Sequence, residues 1–320
     1  MLFMSKLGKI YIYVIVLFTF LGSIIIGAQE EIPDRKLIIG IIYNSNIKPF
    51  ETIAQNFTQK SMQSGHLIKK IKFTKGKVNR MVKAIEESPC SYVISIGLQP
   101  SLASLQANMP GIFCMVPNPV KHGFLDKDGK PLSPLTGILM NITPELLLKL
   151  TSLMPTHNQI GLMHNSKFPE FIIQNYKKHY TDAGYGFFTK TADQNTEVLP
   201  ALEELKSKID LAISVVDNIV YNKNTIPLIS RFSYTNKIPF IGYSKRHLKQ
   251  GAILSFYPDY QKFGAELATF LETVIKHGET TTPVKFYTSI KYDINMQTAK
   301  IMKINLDELI VNGAANVINK

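Results

Sequence analysis

The sequence predicts an α/β protein made of two doubly wound parallel-sheet lobes that follow an export segment. Three observations point there. Short β-branched runs alternate with helical patterns almost throughout, the alternation falls into two series, and one long apolar run stands alone at the N-terminus.

That N-terminal run comes first. Lys6 and Lys9 give a positive start, Ile10 to Ile26 is apolar apart from Thr19, Gly22 and Ser23, and Gly27 and Ala28 precede an abrupt polar switch at Gln29, Glu30 and Glu31. This is the pattern of a secretory signal over residues 1–28, with cleavage after Ala28 and a soluble monomer as the exported form. An uncleaved membrane anchor is the competing reading, because about 17 apolar residues lie at the lower edge of bilayer-spanning length. No cysteine lies near the end of the run, so attachment through a lipidated N-terminal cysteine is not expected.

The remaining 290 or so residues suffice for two domains of ordinary size. In the first series, Leu37 to Ile42 reads as a strand, followed by Phe50, Ile53, Ala54 and Phe57 on one helical face. Leu67 to Phe73 precedes Val78, Met81, Val82 and Ile85; Tyr92 to Ile96 precedes a helix from about Ser101; Gly111 to Val116 closes the group. After the loop-like stretch Asp126 to Pro134, the second series runs from Ile160 to Met163 through the helix of Phe168, Phe171, Ile172 and Tyr176. Gly186 to Thr189, a helix with Leu199, Leu202 and Leu205, Leu211 to Val215 and a helix around Ile229 and Phe232 follow. Ala252 to Phe256 is a further strand, and Phe263, Leu267, Phe270, Leu271 and Val274 mark a long helix stopped at His277 and Gly278. Strands separated by helices imply parallel sheets covered on both faces.

Composition narrows the function classes. The formal charge of +12 falls to +10 without the two signal lysines and reads as spread along the chain, the pattern of a solvated surface rather than of a nucleic-acid reader. Cys90 and Cys114 have no neighbouring histidine and form no metal site of usual spacing; a disulfide between them is possible by compartment and not expected by position. There is no dinucleotide or P-loop glycine motif, no nucleophile elbow and no paired acid–base cluster, so neither an enzyme nor a cofactor is expected.

In open parallel sheets, ligands bind beyond the carboxyl ends of the strands. That rule selects Asn44 and Ser45, the loop Gly97 to Ser101 with Gln99 and Ser101, Asn118 between Pro117 and Pro119, His164 with Asn165, and Asp217 with Asn218. Helix capping and turn formation account for such residues singly, so the weight lies in the set.

The chain also resembles the ABC-transporter substrate-binding family that includes tryptophan- and tyrosine-binding lipoproteins. The residues that carry the resemblance are Gly251 and Ala252, then Tyr257, Pro258, Asp259, Tyr260 and Gly264, and later Tyr292 to Asn295 with Thr298 to Lys300. Weaker matches are Gly97, Asn118 with Pro119, Thr136 with Gly137, and Asp217 with Asn218. The resemblance implies the type I periplasmic-binding-protein fold with a three-crossing hinge near Gly137, Gly251 and Tyr287. One lobe is then 33–138 plus 254–285 and the other 139–253 plus 286–320. The chain departs from the family where aspartate often precedes the proline and Asn118 stands here, and where Leu98 and Gln99 follow the glycine.

The implied function is an exported solute-binding protein that captures a small molecule, such as an amino acid, by lobe closure and delivers it to a membrane ABC permease and its ATPase. For an amino acid, the carboxylate is expected at the helices after Gly97 and Val116, the ammonium on Asp217, and apolar wall from Tyr257 and Tyr43. A ligand-sensing domain presenting a solute to a membrane receptor or sensor kinase would use the same cleft and is the alternative.

Overall fold

The structure is a computed structural model that describes residues 36–152, 154, 157–278 and 281–319; the proposed signal 1–28 and its cleavage site lie outside them. In chain order the elements are β1 (Ile38–Tyr43), α1 (Lys48–Gln63), β2 (Leu67–Lys70), α2 (Val78–Glu86), β3 (Tyr92–Ile96), α3 (Leu98–Gln106), β4 (Gly111–Cys114) and β5 (Leu135–Ile142). There follow α4 (Pro144–Ser152), β6 (Gln159–His164), α5 (Glu170–Asp182), β7 (Gly186–Thr191), α6 (Asn195–Leu205), β8 (Leu211–Ile213), α7 (Ile226–Asn236), β9 (Phe240–Gly242), α8 (Lys245–Lys249) and β10 (Leu254–Pro258). The chain ends with α9 (Tyr260–His277), β11 (Lys285–Tyr287), β12 (Ile290–Asn295), α10 (Met296–Met302), α11 (Glu308–Gly313) and β13 (Asn316–Ile318).

Two sheets result. The first has the order β11-β5-β4-β3-β1-β2 and is parallel throughout; the second has the order β13-β12-β10-β9-β8-β6-β7, parallel except where β10 meets β12. The period-two alternation of β1 shows why each sheet needs cover on both faces. Ile39, Ile41 and Tyr43 join the core under α1 and α9, whereas Ile42 packs on the other face with Met81 and Ile85 of α2 and Ala103 of α3. Helix α9 lies against α1 so closely that a Cβ on Gly264 would meet the Ile53 carbonyl oxygen at 2.5 Å and the Phe57 nitrogen at 2.9 Å.

The chain passes between the sheets three times: from β5 to β6, from β10 into α9, and from β11 to β12. Two expected positions need correction. β5 stays in the first sheet as far as Ile142, and Gly137 is small because the Phe113 ring would lie 2.5 Å from its Cβ, so the chain does not cross there. β10 belongs to the second sheet, pairing Leu254 with both Ile241 and Ile294, so the chain enters the first lobe at Asp259, not at 254. The third passage falls at Thr288 and Ser289, directly after Tyr287. Cys90 and Cys114 are separate buried thiols, and burial alone pushes the Cys114 thiol far up.

An aromatic cluster fills the second lobe behind β9. His247 is 4% exposed, its ring stands 4.5 Å from the Tyr243 ring and 6.1 Å from Phe240, and burial, aided by Arg246, pushes its pKa down to about 4 from 6.5. A neutral histidine favoured by the fold binds a proton more readily once unfolded. Its contribution is therefore complete above about pH 6.5 and is lost as pH falls towards 4.

Two outcomes are expected. Gly264→Ala should cost about 1–3 kcal/mol through overpacking of α1 on α9, read as a lower denaturation midpoint at unchanged slope. His247→Phe should remove up to about 3 kcal/mol of the stability lost between pH 6.5 and 4, measured by chemical denaturation of both proteins at the two pH values.

Candidate functional site

Parallel strands release their loops along one edge of each sheet, and loops from both edges meet beside the chain crossings. A cavity on this seam measures about 580 Å³. From the first lobe come Met115 just past β4, Met140 in β5, Tyr287 at the end of β11 and Tyr260 at the start of α9. The second lobe supplies Val216, Tyr243 and Tyr257. Four tyrosines and two methionines make the wall flat and polarizable, which suits an aromatic or apolar solute.

The two second-lobe phenols are fixed through their hydroxyls. Tyr257 donates to Asp293 Oδ1 at 2.7 Å, and Tyr243 donates to the Tyr221 carbonyl at 3.3 Å and Asn218 Oδ1 at 3.4 Å. Burial pushes both phenols well above the ordinary range, and Asp293 adds to the effect at Tyr257, so both stay protonated donors. At the rim stand Lys245, Arg246, Lys291 and Asp259. Lys245 Nζ sits 4.5 Å above the Tyr257 ring and 3.8 Å from Asp293 Oδ2, while Lys291 Nζ is 3.2 Å from Asp259 Oδ2.

The sequence-selected residues divide among separate places. Tyr257 lines the large cavity. Asn118, Asn165, Asp217 and Asn218 gather around a smaller interlobe pocket of about 180 Å³, where Asn118 Nδ2 donates across the lobes to the Lys167 carbonyl at 2.7 Å. Asn44 and Ser45 lie in a basin of about 370 Å³ on the first lobe with Tyr43, Lys70, Lys72 and Lys75. Gln99 Oε1 accepts the Gly76 N–H at 3.2 Å.

Three expected roles are corrected. Ser101 is fully buried and its hydroxyl donates to the Gly97 carbonyl at 2.9 Å, so it faces the helix and not a ligand. Val116 is followed by turns rather than a helix, which removes the second expected anion site. Asp217 is 3% exposed and its carboxylate is filled: Oδ2 accepts Asn165 N–H at 2.7 Å and Asn165 Nδ2 at 2.8 Å, and Oδ1 accepts Ile219 N–H at 2.9 Å and Val220 N–H at 3.3 Å. It clamps the loops after β6 and β8 and has no lone pair left over for an ammonium.

Sequence reasoning missed Met115, Met140, Tyr243, Lys245 and Arg246. The loop after β9 escaped because that strand is three residues long, too short to register as a periodic run. Met115 sits one residue inside the expected limit of β4, where it read as strand core.

Comparisons with known proteins extend the geometry. The family model described as ABC transporter substrate binding protein matches residues 68–318. A tyrosine-binding protein of Clostridioides difficile (strain R20291) is 26% identical over 230 residues, 68% of this chain and 65% of that protein, so the match spans just under two thirds of the relative's length. The ligand-free, open structure of a substrate-binding protein with adhesive properties from Clostridium difficile superposes with a TM-score of 0.64 at 18% identity, over 89% of this chain and 100% of the other. An ABC domain in complex with L-Trp from Streptococcus pneumoniae superposes with a TM-score of 0.56 at 18% identity, again over 89% and 100%. The two-lobed α/β architecture and the family match together identify this chain as a member of the ABC transporter substrate binding protein family.

Proposed function

We propose that the chain is the exported solute-binding protein of an ABC importer and that it captures a small aromatic solute, about the size of an aromatic amino acid, by closing its two lobes on it. The observation that carries this reading is the origin of the cavity wall. Met115, Met140, Tyr260 and Tyr287 belong to one lobe and Val216, Tyr243 and Tyr257 to the other, so a solute touching all of them is bound fully only when the lobes approach. A volume of about 580 Å³ lies within the usual span for small-molecule sites. Relatives named for tyrosine binding or solved with L-Trp support an aromatic ligand. No helix among the described residues is long and apolar enough to cross a membrane, and a signal at residues 1–28 would carry the chain to the permease and ATPase.

A thermal-shift screen of aromatic solutes tests this. A ligand at a hundred times its Kd adds about 2.7 kcal/mol, and so should raise Tm by about 4–5 °C. Tyr257→Ala should weaken that ligand at least about tenfold, roughly 1.4 kcal/mol, by calorimetric titration. Unchanged melting with every aromatic solute would remove the reading.

Asp217→Asn should act on the fold instead. Whichever way the new amide turns, its NH₂ group faces two N–H donors, so a stability loss of about 1–3 kcal/mol is expected by denaturation.

A further inference from the structure

The charges facing the cleft are unbalanced, and the imbalance bears on what the ligand carries. On the first lobe, the segments after β1, β2 and β3 (residues 44–47, 71–77 and 97) and the first part of the β4–β5 connection (115–123) contain Lys72, Lys75, Lys77 and Lys121 and no carboxylate; Asp126 and Asp128 fall later in that connection and do not line the cavity. On the second lobe the corresponding acids are Asp193, Asp217 and Asp259. Asp217 has its four N–H partners. Asp193 lies past the edge strand β7, accepts the Ser166 N–H at 2.7 Å and does not line the cavity. Asp259 is the one carboxylate in the cavity wall; it is 4% exposed, pairs with Lys291 and accepts the Gln261 N–H at 3.3 Å at the start of α9. Asp293, behind Tyr257, is taken by the Tyr257 hydroxyl and by Asn316 Nδ2 at 2.9 Å.

The cavity wall thus holds three cations, Lys245, Arg246 and Lys291, against one engaged carboxylate. Lys291 is matched by Asp259, and Lys245 is drawn towards Asp293. The Arg246 guanidinium, by contrast, has no ion-pair or hydrogen-bond partner among the described residues; only its carbonyl is engaged, by the Gln250 N–H. A desolvated ammonium needs a carboxylate to offset its lost hydration. Among the described residues, none in the cleft is free to serve. A carboxylate entering the same space meets a guanidinium whose five donors match its two oxygens.

We infer that the solute is an aromatic carboxylate without an ammonium group, an arylalkanoate rather than an α-amino acid, and that Arg246 engages its carboxylate while the tyrosines hold its ring. This inference rests on the interlobe cavity being the ligand site, as proposed above. It adds the charge of the ligand, which the shape and apolar wall of the cavity leave open.

The test is a calorimetric titration of the purified exported protein with three compounds that share one ring: 3-(4-hydroxyphenyl)propanoate, L-tyrosine and tyramine. The propanoate is expected to bind at least about tenfold more tightly than L-tyrosine, and tyramine is expected neither to bind nor to compete. Arg246→Gln should weaken the propanoate about tenfold or more and shrink its advantage over L-tyrosine, with the ligand-free melting temperature unchanged because the side chain is exposed and unpaired. L-tyrosine binding as tightly as the propanoate overturns the inference while leaving the cavity as the ligand site. So does undiminished propanoate affinity in the Arg246→Gln protein. Failure of all three compounds to bind overturns the cavity reading and the inference with it.

Discussion

Where the chain leaves β10 and where it returns to β12 are bound side by side. The Asp259 N–H donates to the Ser289 carbonyl at 2.9 Å, and the buried carboxylate of Glu266 on α9 accepts the N–H groups of Thr288 and Ser289 at 3.1–3.2 Å while pairing with Lys285 at 3.1 Å. Thr143, at the remaining passage, donates its N–H to the Tyr287 carbonyl at 3.3 Å. Backbone groups freed from a sheet must find partners. One glutamate provides them for two residues at once, so it holds the passages together and leaves each sheet free to end where its own pairing ends. The position of the cavity follows, because Tyr257, Tyr260 and Tyr287 all lie within three residues of these ties.

The cavity and the small pocket next to it divide the work between them. In the cavity the polar atoms of the walls are spent on the protein: the Tyr257 hydroxyl on Asp293 and the Tyr243 hydroxyl on Tyr221 and Asn218. The rings are thereby held at set angles and offer faces to whatever enters, which keeps the entropic cost of binding low. In the small pocket the polar atoms join loop to loop, through Asp217 within one lobe and through Asn118 between lobes. On the reading proposed above, the polar loops there serve closure, while recognition falls to the aromatic side chains nearer the crossings.

Much of the fold was legible because its strands are buried on both faces and stand out as apolar runs. β1, β3, β6 and α9 appear within a residue or three of their expected bounds. The sheet membership of β5 and β10 was not legible, since an apolar run does not state which neighbours it will pair with. The strand-end rule found the interlobe loops but not the cavity wall. It selects polar residues after well-marked strands, whereas Met140 and Tyr287 lie within strands and Tyr243 follows one of three residues. Asp217 looked like a ligand contact from its position alone. Its partners are Asn165, 52 residues earlier, and two N–H groups of its own turn, and only the first pairing depends on tertiary structure.

The hydrogen bond from Asn118 to the Lys167 carbonyl stands outside the cavity, and Asn118 reaches it from a left-handed backbone position, φ 45°, that asparagine tolerates better than most residues. On the reading proposed above, in which the lobes close on a solute in the cavity, this bond joins the lobes away from that cavity and so adds the same free energy to closure whatever solute is inside. Apparent affinity for every solute scales with the closed fraction, so such a latch raises or lowers all of them by one common factor and leaves their ratios alone. It also lengthens the residence time of each by holding the exit shut. On that reading, selectivity and the speed of unloading are set by different residues, and a lineage could alter how quickly a bound solute is surrendered through this one side chain without relearning which solute to choose.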